Sequence, residues 1–219
     1  MKTYPSTKFM NGLTKGAGIP DGNDWYVFDK LDGSNIRVEW SAKRGFYKWG
    51  RRYGLLDDSN PWLMPTPVQA LLADSYGPGL DVEFRRRKYK RVLCFFEFVG
   101  ANSFSGHHEH EAHRLVMIDV NLHPKGFMGP ADFVSLCEDV GMQEGIEFAR
   151  VLHQGEITQE LLDSIRNSTL EGMTFEGAVC KSQGKKVSSR RAFKVKASIW
   201  LDKLREYCKD DMELFKRLA

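Results

Sequence analysis

Short runs of β-branched and aromatic residues alternate with glycine turns in the first quarter of the chain. The runs lie at 25–29, 35–40 and 46–49, and the turns lie at 32–33 and 44–45. Runs of this length between such turns are typical of antiparallel strands joined by tight connections. The pattern therefore predicts three antiparallel strands.

Four further segments have the apolar character of buried strands. They are 92–99, 115–120, 173–181 and 191–196. The first two are nearly uninterrupted apolar runs, which surface loops do not contain. Most of the predicted strands therefore belong inside a sheet.

Apolar residues at helical spacing mark four other segments. They are 67–72, 131–140, 158–165 and the chain from Ser198 onward. Proline opens the first, the breakers at 77–79 are expected to close it, and Gly141 is a stop signal for the second. The last segment mixes apolar and charged residues, which predicts an amphipathic helix or helix pair. The pattern predicts a mixed α+β fold with much antiparallel sheet, with residues 1–197 in one domain and 198–219 in a helical tail.

Composition adds charge and compartment to this picture. The net charge of +3 is small, but basic residues gather at 85–91 and 185–191. The four cysteines are far apart and form no Cys-x-x-Cys pair, which predicts reduced thiols. The N-terminus lacks an apolar signal core, and no stretch approaches the roughly 20 apolar residues that cross a bilayer. We therefore expect a cytoplasmic protein without a membrane segment.

The first candidate for chemistry is Lys30, which ends one predicted strand just before the turn at Asp32-Gly33. A free lysine has a pKa of about 10.4, so a nucleophilic lysine needs partial burial or neighbouring cations to lose its proton. Lys194 and Lys196 alternate with apolar residues on a later strand, which places both ammonium groups on one face. A solvated lysine in a hairpin is the alternative, because Lys-x-Asp-Gly is also a good turn sequence.

Two glutamates lie in apolar surroundings. Glu97 and Glu176 are both expected within strands, where an unpaired carboxylate is costly. A metal ion or a structural salt bridge would compensate either of them.

These residues occur in an order that resembles the motifs of the covalent nucleotidyltransferase superfamily of DNA ligases, RNA ligases and mRNA-capping enzymes. The resemblance runs from Asp29 to Lys196. Residues 30–33 look like the nucleophile motif, and residues 51–54 look like the arginine–glycine segment that follows it. The resemblance implies a nucleotidyltransferase domain over 1–197 with an antiparallel, ATP-grasp-like ligase fold.

The resemblance also implies roles. Lys30 would attack the α-phosphate of ATP and carry AMP, and Lys194 and Lys196 would contact that phosphate. Glu97 would serve the ribose or a hydrated metal, and Glu176 the metal, with Mg²⁺ or Mn²⁺ expected. The implied nucleotide-binding residues are Asp29, Lys30, Leu31, Asn35, Arg52, Glu97, Val116, Glu176, Lys194 and Lys196.

Particular residues narrow the branch. Asn35 is similar to the Lys-x-x-Gly-x-Asn pattern of RNA ligases of the second phage type, and Asp29 resembles their contact to the adenine amino group, which implies ATP. The stretch 115–118 lacks the aromatic that usually stacks on the base, so Val116 or a residue elsewhere is expected there. The short tail leaves no room for the oligonucleotide-binding barrel of DNA ligases and capping enzymes.

The resulting hypothesis is a monomeric ATP-dependent RNA ligase. It would adenylate a 5′-phosphate end and join it to a 3′-hydroxyl, with a nicked duplex as one substrate. Alternatives are the catalytic domain of a DNA ligase or of a capping guanylyltransferase, and a non-catalytic module that binds RNA ends. The basic run at 85–91 could hold phosphates of a nucleic acid, with a solvated turn as the alternative; a ligase favours the phosphate interpretation.

A histidine-rich stretch at 107–113 is a separate candidate. Its spacing differs from His-Glu-x-x-His, so a charged loop explains it better than a zinc site.

Overall fold

A computed structural model describes most of the chain, namely residues 4, 19–52, 54–56, 72, 77–101, 110–141, 147–184 and 191–218. Several predicted features lie outside the described residues: the helix at 67–72 apart from its last residue, Tyr53, most of the histidine-rich stretch, and the basic residues 185–190. The chain divides into two compact units, and it passes from one to the other between Asp32 and Gly33.

Strands and helices are numbered in chain order. The strands are β1 (Trp25–Asp29), β2 (Ser34–Ser41), β3 (Gly45–Arg51), β4 (Gly54–Leu55), β5 (Arg91–Val99), β6 (Arg114–Leu122), β7 (Gly126–Phe127), β8 (Glu147–Phe148), β9 (Val151–Gly155), β10 (Gly177–Ser182) and β11 (Ala192–Lys196). The helices are α1 (Gly77–Arg86), α2 (Pro130–Gly141), α3 (Gln159–Arg166), α4 (Ser198–Cys208) and α5 (Met212–Leu218).

The large-sheet unit contains Gly33–Ala149 and one seven-stranded sheet. Its strand order is β4-β3-β2-β5-β6-β7, all antiparallel, and β8 pairs with β6 in parallel. On β2 the apolar residues alternate with polar ones, so one face of the strand is apolar. Trp40 on the apolar face contacts Phe84 of α1 at 5.2 Å between ring centroids, which seats α1 on the sheet.

The small-sheet unit combines the described residues 19–32, 150–184 and 191–218, whereas Tyr4 belongs to the large-sheet unit. Its four strands are antiparallel in the order β11-β10-β1-β9. One face of this sheet packs with α3 in a cluster whose buried members are Trp25, Val27, Ile157, Leu162, Ile165, Ala178, Cys180, Phe193 and Val195. The alternate residues of β11, Lys194 and Lys196, therefore lie on the opposite face.

The structure confirms the predicted α+β fold rich in antiparallel sheet, and the predicted strands at 25–29, 35–40, 46–49, 92–99 and 115–120 all occur. Among the described residues neither sheet closes into a barrel. No helix in the described part is both long and apolar enough to span a membrane.

The structure differs from the expectations at three points. The breakers at 77–79 form the first turn of a helix, α1, and the helix that they were expected to close lies outside the described residues apart from Leu72. A proline within a first turn lacks only an N–H that would have no helical partner. The strand expected from Met173 begins only at Gly177, since the backbone N–H of Thr174 bonds to a side chain and not to a neighbouring strand. Strand β9 was not predicted, because its sequence VLHQG has no strong alternation of apolar and polar residues.

Candidate active site

The centre of the candidate site is Glu176, whose carboxylate bridges two lysines. Its Oε2 lies 2.6 Å from Nζ of Lys30, and its Oε1 lies 2.5 Å from Nζ of Lys196. The Lys196 side chain is 3% exposed, whereas that of Lys30 is 21% exposed. We call these three residues the lysine cluster. The structure thus brings together three residues that lie far apart in sequence, and it leaves the proposed nucleophile as the most accessible of them.

Backbone contacts fix the lysine cluster. Lys30 donates its backbone N–H to the carbonyl of Gly177 (3.0 Å), and Ala197 donates to the carbonyl of Glu176 (3.0 Å). Gly177 has a φ of +133°, and a Cβ there would collide with the carbonyl oxygen of Val195 and lie 2.9 Å from Cα of Lys196. Only glycine tolerates this approach, so the Glu176-Gly177 pair is a geometric requirement of the contact between β10 and β11.

The charges of the lysine cluster shift one another's titration. Burial by itself raises the pKa of Glu176, but the charges of Lys30 and Lys196 outweigh it, so that this pKa is lowered. Burial lowers the pKa of Lys196 to about 8, against the attraction of Glu176. Near neutral pH the cluster therefore contains an ionised carboxylate beside a lysine that is close to losing its proton.

Lys194 lies two residues before Lys196 on the same face of β11, opposite Val179 of β10. It is half-buried. Alternate residues of a strand are about 7 Å apart, so the backbone positions of Lys194 and Lys196 are separated by about that distance on one face.

Asp29 lies at the end of β1 and is only 3% exposed. Its Oδ1 accepts hydrogen bonds from the backbone N–H and the hydroxyl of Thr174, both at 3.0 Å. Its Oδ2 has no hydrogen-bond partner among the described residues, and Nη2 of Arg150 lies 3.7 Å away. Burial raises the pKa of Asp29, although Thr174 and Arg150 pull in the other direction. A buried acceptor of this kind is costly unless a ligand supplies a donor.

In the large-sheet unit, Asn35, Glu97 and Val116 occupy neighbouring positions on three adjacent strands. Asn35 of β2 is opposite Glu97 of β5, and Glu97 is opposite Val116 of β6. Asn35 donates from Nδ2 to the carbonyl of Phe96 at 3.5 Å, while its buried Oδ1 has no hydrogen-bond partner within the described ranges. Val116 is 3% exposed and Glu97 is half-buried.

Leu31 and Arg52 complete the set of predicted residues. Leu31 is half-buried between β1 and β2, and Arg52 is exposed in the turn between β3 and β4. Of the predicted residues, therefore, Lys30, Glu176 and Lys196 meet in one unit, and Asn35, Glu97 and Val116 meet in the other.

Sequence reasoning missed Tyr4. Its hydroxyl donates to Oδ2 of Asp119 at 3.1 Å, and its ring lies 4.8 Å from that of Phe95 and 5.8 Å from that of Phe127. Burial, followed by the charge of Asp119, raises the pKa of Tyr4 well above its usual value. A single tyrosine near the N-terminus carries no pattern from which this contact could be predicted.

The residues proposed for a metal do not form a site by themselves. In the described part of the chain, no group of three or more His, Cys, Asp or Glu residues is placed to hold a metal ion. The carboxylate of Glu176 contacts two lysines, Lys30 and Lys196. Since Mg²⁺ commonly binds one or two carboxylates together with phosphates, either glutamate alone fits such an ion only with a nucleotide present.

The histidines within the described ranges do not favour zinc. His110 is exposed, and the ring of His113 stacks on that of Phe98 with 4.7 Å between centroids. Residues 107–109 lie outside the described residues, so the interpretation of the whole stretch as a loop stays a prediction.

Comparison with known proteins identifies a family for the chain. A family model described as RNA ligase matches residues 23–196. No curated protein matches the chain in sequence.

Solved structures of a Naegleria gruberi RNA ligase resemble the chain. A lysine-to-alanine mutant with ATP and Mn aligns with a TM-score of 0.65 at 16% identity over 93% of this chain. An aspartate-to-alanine mutant without ligand gives 0.68 at 15% identity, and a complex with PPi gives 0.68 at 16%, each over 94% of this chain. At such identities the likeness shows the fold alone. The chain spans 58% of the length of these Naegleria chains.

Proposed function

Because the chain belongs to the RNA ligase family, we propose that it is an ATP-dependent RNA ligase in which Lys30 forms a covalent adduct with AMP. The observation that carries the proposal is the lysine cluster. Lys30 has a buried carboxylate at 2.6 Å, and a second, buried lysine lies on the other oxygen of that carboxylate. A structural ion pair needs only one lysine, whereas transfer of a phosphoryl group needs both a nucleophile and a cation for the phosphate.

The reaction has three steps. Nζ of Lys30, once deprotonated, attacks the α-phosphorus of ATP; the bond to the bridging oxygen breaks and pyrophosphate leaves. An oxygen of the 5′-phosphate of RNA then attacks the same phosphorus and displaces the lysine nitrogen, which leaves AMP on the RNA end. A 3′-hydroxyl finally attacks the 5′-phosphorus, forms the phosphodiester and releases AMP.

Lys196 and Lys194 are the proposed ligands of the α-phosphate. Negative charge builds on this phosphate as Lys30 attacks, so two cations on one strand face stabilise the transition state more than the bound substrate. Glu176 holds Lys30 and Lys196 in place before the nucleotide arrives. Asn35, Glu97, Val116, Leu31 and Arg52 are proposed as further nucleotide ligands.

A divalent ion, Mg²⁺ or Mn²⁺, is proposed to neutralise phosphate charge when bound, with Glu97 and Glu176 as its carboxylate ligands. The Naegleria relatives with ATP and Mn, and with AMP and Mn, support this choice. Because the phosphates of ATP attract the Lys196 ammonium and a divalent ion attracts the carboxylate of Glu176, we expect Lys196 to exchange partners when ATP binds.

Asp29 supports ATP as the nucleotide. Its Oδ2 is a buried acceptor without a hydrogen-bond partner in the described residues, which suits the exocyclic amino group of adenine and not the carbonyl of guanine. The position of Asn35 supports a place close to RNA ligases of the second phage type within the covalent nucleotidyltransferase superfamily. We propose residues 1–197 as the nucleotidyltransferase domain and 198–219 as a helical tail.

Covalent labelling tests the proposal. The protein, treated first with pyrophosphate to discharge AMP already bound, is incubated with α-labelled ATP and Mg²⁺. We expect an acid-labile label on wild type and on Lys203→Ala, a lysine of α4 outside the lysine cluster, and none on Lys30→Ala. A label that persists on Lys30→Ala, or an unlabelled wild type, would contradict the proposal.

A sealing assay on matched RNA, DNA and hybrid nicks then identifies the substrate. We expect sealing where the 3′-hydroxyl strand is RNA. Preference for GTP in the labelling step would instead indicate a capping guanylyltransferase, and preference for all-DNA nicks would indicate a DNA ligase.

A further inference from the structure

Lys196 has a second partner, and it comes from the helical tail. Nζ of Lys196 lies 3.5 Å from the centroid of the Trp200 ring, while Oε1 of Glu176 lies 2.5 Å from the same nitrogen. The ammonium group is therefore enclosed between a carboxylate and the face of an indole. Trp200 is 3% exposed, so this contact is shielded from water.

The chain around Lys196 makes this arrangement rigid. Lys196 ends β11, and α4 begins two residues later at Ser198. The intervening Ala197 is fully buried, donates its N–H to Glu176 and accepts from Leu201. Trp200 thus stands in the first turn of a helix that starts directly at the end of the strand, four residues after the lysine that it covers.

The indole differs from the carboxylate as a partner. An ammonium group has three N–H donors, and Glu176 accepts from one of them. The face of an aromatic ring attracts the cation through its quadrupole, and the ring carries no formal charge. A phosphate can therefore approach Lys196 without competing against Trp200, whereas it must compete with the carboxylate of Glu176.

We propose that Trp200 is a positioning residue for Lys196 in adenylyl transfer, which makes the first helix of the tail a part of the catalytic unit. The inference rests on the proposed function. When ATP draws Lys196 away from Glu176, the indole remains as the group that keeps the ammonium at the α-phosphate. Loss of the ring leaves a long, mobile side chain in its place, which lowers the rate of the chemical step more than the binding of ATP.

The test compares four proteins by single-turnover labelling with α-labelled ATP over a range of ATP concentrations: wild type, Trp200→Leu, Trp200→Phe and Phe215→Leu. We expect Trp200→Leu to lower the maximal labelling rate about tenfold or more, as for a misplaced catalytic group, and to leave the half-saturating ATP concentration nearly unchanged. Trp200→Phe keeps an aromatic face and should restore most of the rate. Phe215→Leu is the matched control, because it removes the ring below Arg205 of the same helix, away from the lysine cluster.

A signal independent of activity accompanies the kinetics. In lysine-labelled protein, the ε-methylene resonance of Lys196, assigned by its loss in Lys196→Arg, should be shifted upfield by the indole ring current. The shift should vanish in Trp200→Leu and persist in Phe215→Leu.

The outcomes separate the two proposals. If wild type takes no label, the proposed function fails, whatever the resonance shows. If wild type is labelled and Trp200→Leu is labelled equally fast, the role of Trp200 is refuted. It is also refuted if Trp200→Leu and Trp200→Phe lose rate and thermal stability to the same extent, since the ring would then serve only packing.

Discussion

Each unit contains a buried glutamate held by two cations, but the cations differ. In the small-sheet unit Glu176, 4% exposed, is held by Lys30 and Lys196. In the large-sheet unit Glu83, 5% exposed, is held by Arg86 and Arg87 of the same helical region. Both carboxylates have a lowered pKa. The charge of a buried glutamate is therefore compensated by lysines in one unit and by arginines in the other.

Arginine suits a permanent link. Arg86 binds both oxygens of Glu83 at 2.7 Å, and Arg86 and Arg87 each reach Asp139 of α2 at 2.7 Å, so the group ties α1 to α2. A guanidinium stays charged at all accessible pH values and its planar fork fixes the geometry. Within the basic run at 85–91, the guanidinium groups of Arg86 and Arg87 are therefore engaged by carboxylates of the fold, whereas Lys88 and Lys90 are exposed in and after the turn that follows α1.

Lysine suits a group that must change its charge or partner. Lys196 has a pKa of about 8, and Lys30 keeps 21% of its side chain accessible. A lysine ammonium can release a proton, and the resulting amine can act as a nucleophile. The charged form is compact and can turn to a phosphate. A guanidinium keeps its proton and its fixed planar geometry. The number of cations around a buried glutamate therefore says little about function, whereas the type of cation, lysine or arginine, is informative.

The largest effect on activity is expected when an arginine replaces a lysine of the lysine cluster. Lys30→Arg retains the positive charge beside Glu176 but has no nucleophilic nitrogen at neutral pH. We expect covalent labelling to fall by more than about a thousandfold, as when a catalytic nucleophile is removed, with the urea midpoint close to that of wild type. Labelling near the wild-type rate would show that the adduct forms on another residue.

The second test removes the charge of each glutamate in turn. Glu176→Gln should lower labelling about a hundredfold, because it releases both lysines from the positions on which transfer depends. Glu83→Gln should leave labelling intact and lower stability by about 1–3 kcal/mol, the worth of hydrogen bonds to charged groups. Labelling rates and urea unfolding of both variants provide the comparison; lost activity in a fully stable Glu83→Gln would contradict it.

Alkaline pH distinguishes the lysine cluster from the arginine group around Glu83, and neither glutamate needs to be substituted. The pKa of Lys196 is about 8 in the folded protein against 10.5 for an unperturbed lysine. Between these values the folded state holds fewer protons than the unfolded state, so the contribution of Lys196 to stability rises with pH across this window. The arginine group does not titrate there.

Urea unfolding from pH 8 to 10 measures this effect. The stability of wild type should rise relative to that of Lys196→Arg, and Lys203→Arg, which leaves Lys196 in place, should behave as wild type. Parallel curves for wild type and Lys196→Arg would show that Lys196 is not held at a lowered pKa.

The sequence was sufficient for β1, β2, β3, β5, β6 and β11 and for the order of the motif residues. Alternation on β11 placed Lys194 and Lys196 on one face, and the length of each apolar run located β5 and β6 within a few residues. These signals are local, since each depends on neighbours within one strand. The prediction that Glu97 and Glu176 are costly to bury also depended only on their neighbours in the sequence.

The remaining features depend on contacts between distant segments. Glu176 was expected inside a strand, but it lies just before β10, because Gly177 starts the strand with a positive φ. Trp200 and Thr174 gave no signal, since an aromatic after a strand and a threonine in a loop are ordinary. The start of α1 at Gly77 was missed because glycine and proline more often end elements than begin them.

Asp29 is a third buried carboxylate, and it extends the comparison. Of the predicted effects on activity, the one at Asp29 is the smallest. Asp29 is held on one oxygen by the neutral donors of Thr174, with Arg150 no closer than 3.7 Å to the other. Its pKa is raised, whereas those of Glu83 and Glu176 are lowered. Without close cations, then, burial dominates.

Thr174→Val removes one of the two donors to Oδ1, and the carboxylate should become easier to protonate. A protonated Asp29 can donate a hydrogen bond, so it contacts the adenine amino group less well and can instead donate to the carbonyl oxygen of guanine. We expect about a fivefold higher half-saturating ATP concentration, the cost of one neutral hydrogen bond, and a lower preference for ATP over GTP in the labelling assay. Thr174→Ser retains the hydroxyl and should keep the wild-type preference. If Thr174→Val still selects ATP as wild type does, the base is chosen by residues other than Asp29, and the oxygen without a partner has no part in nucleotide recognition.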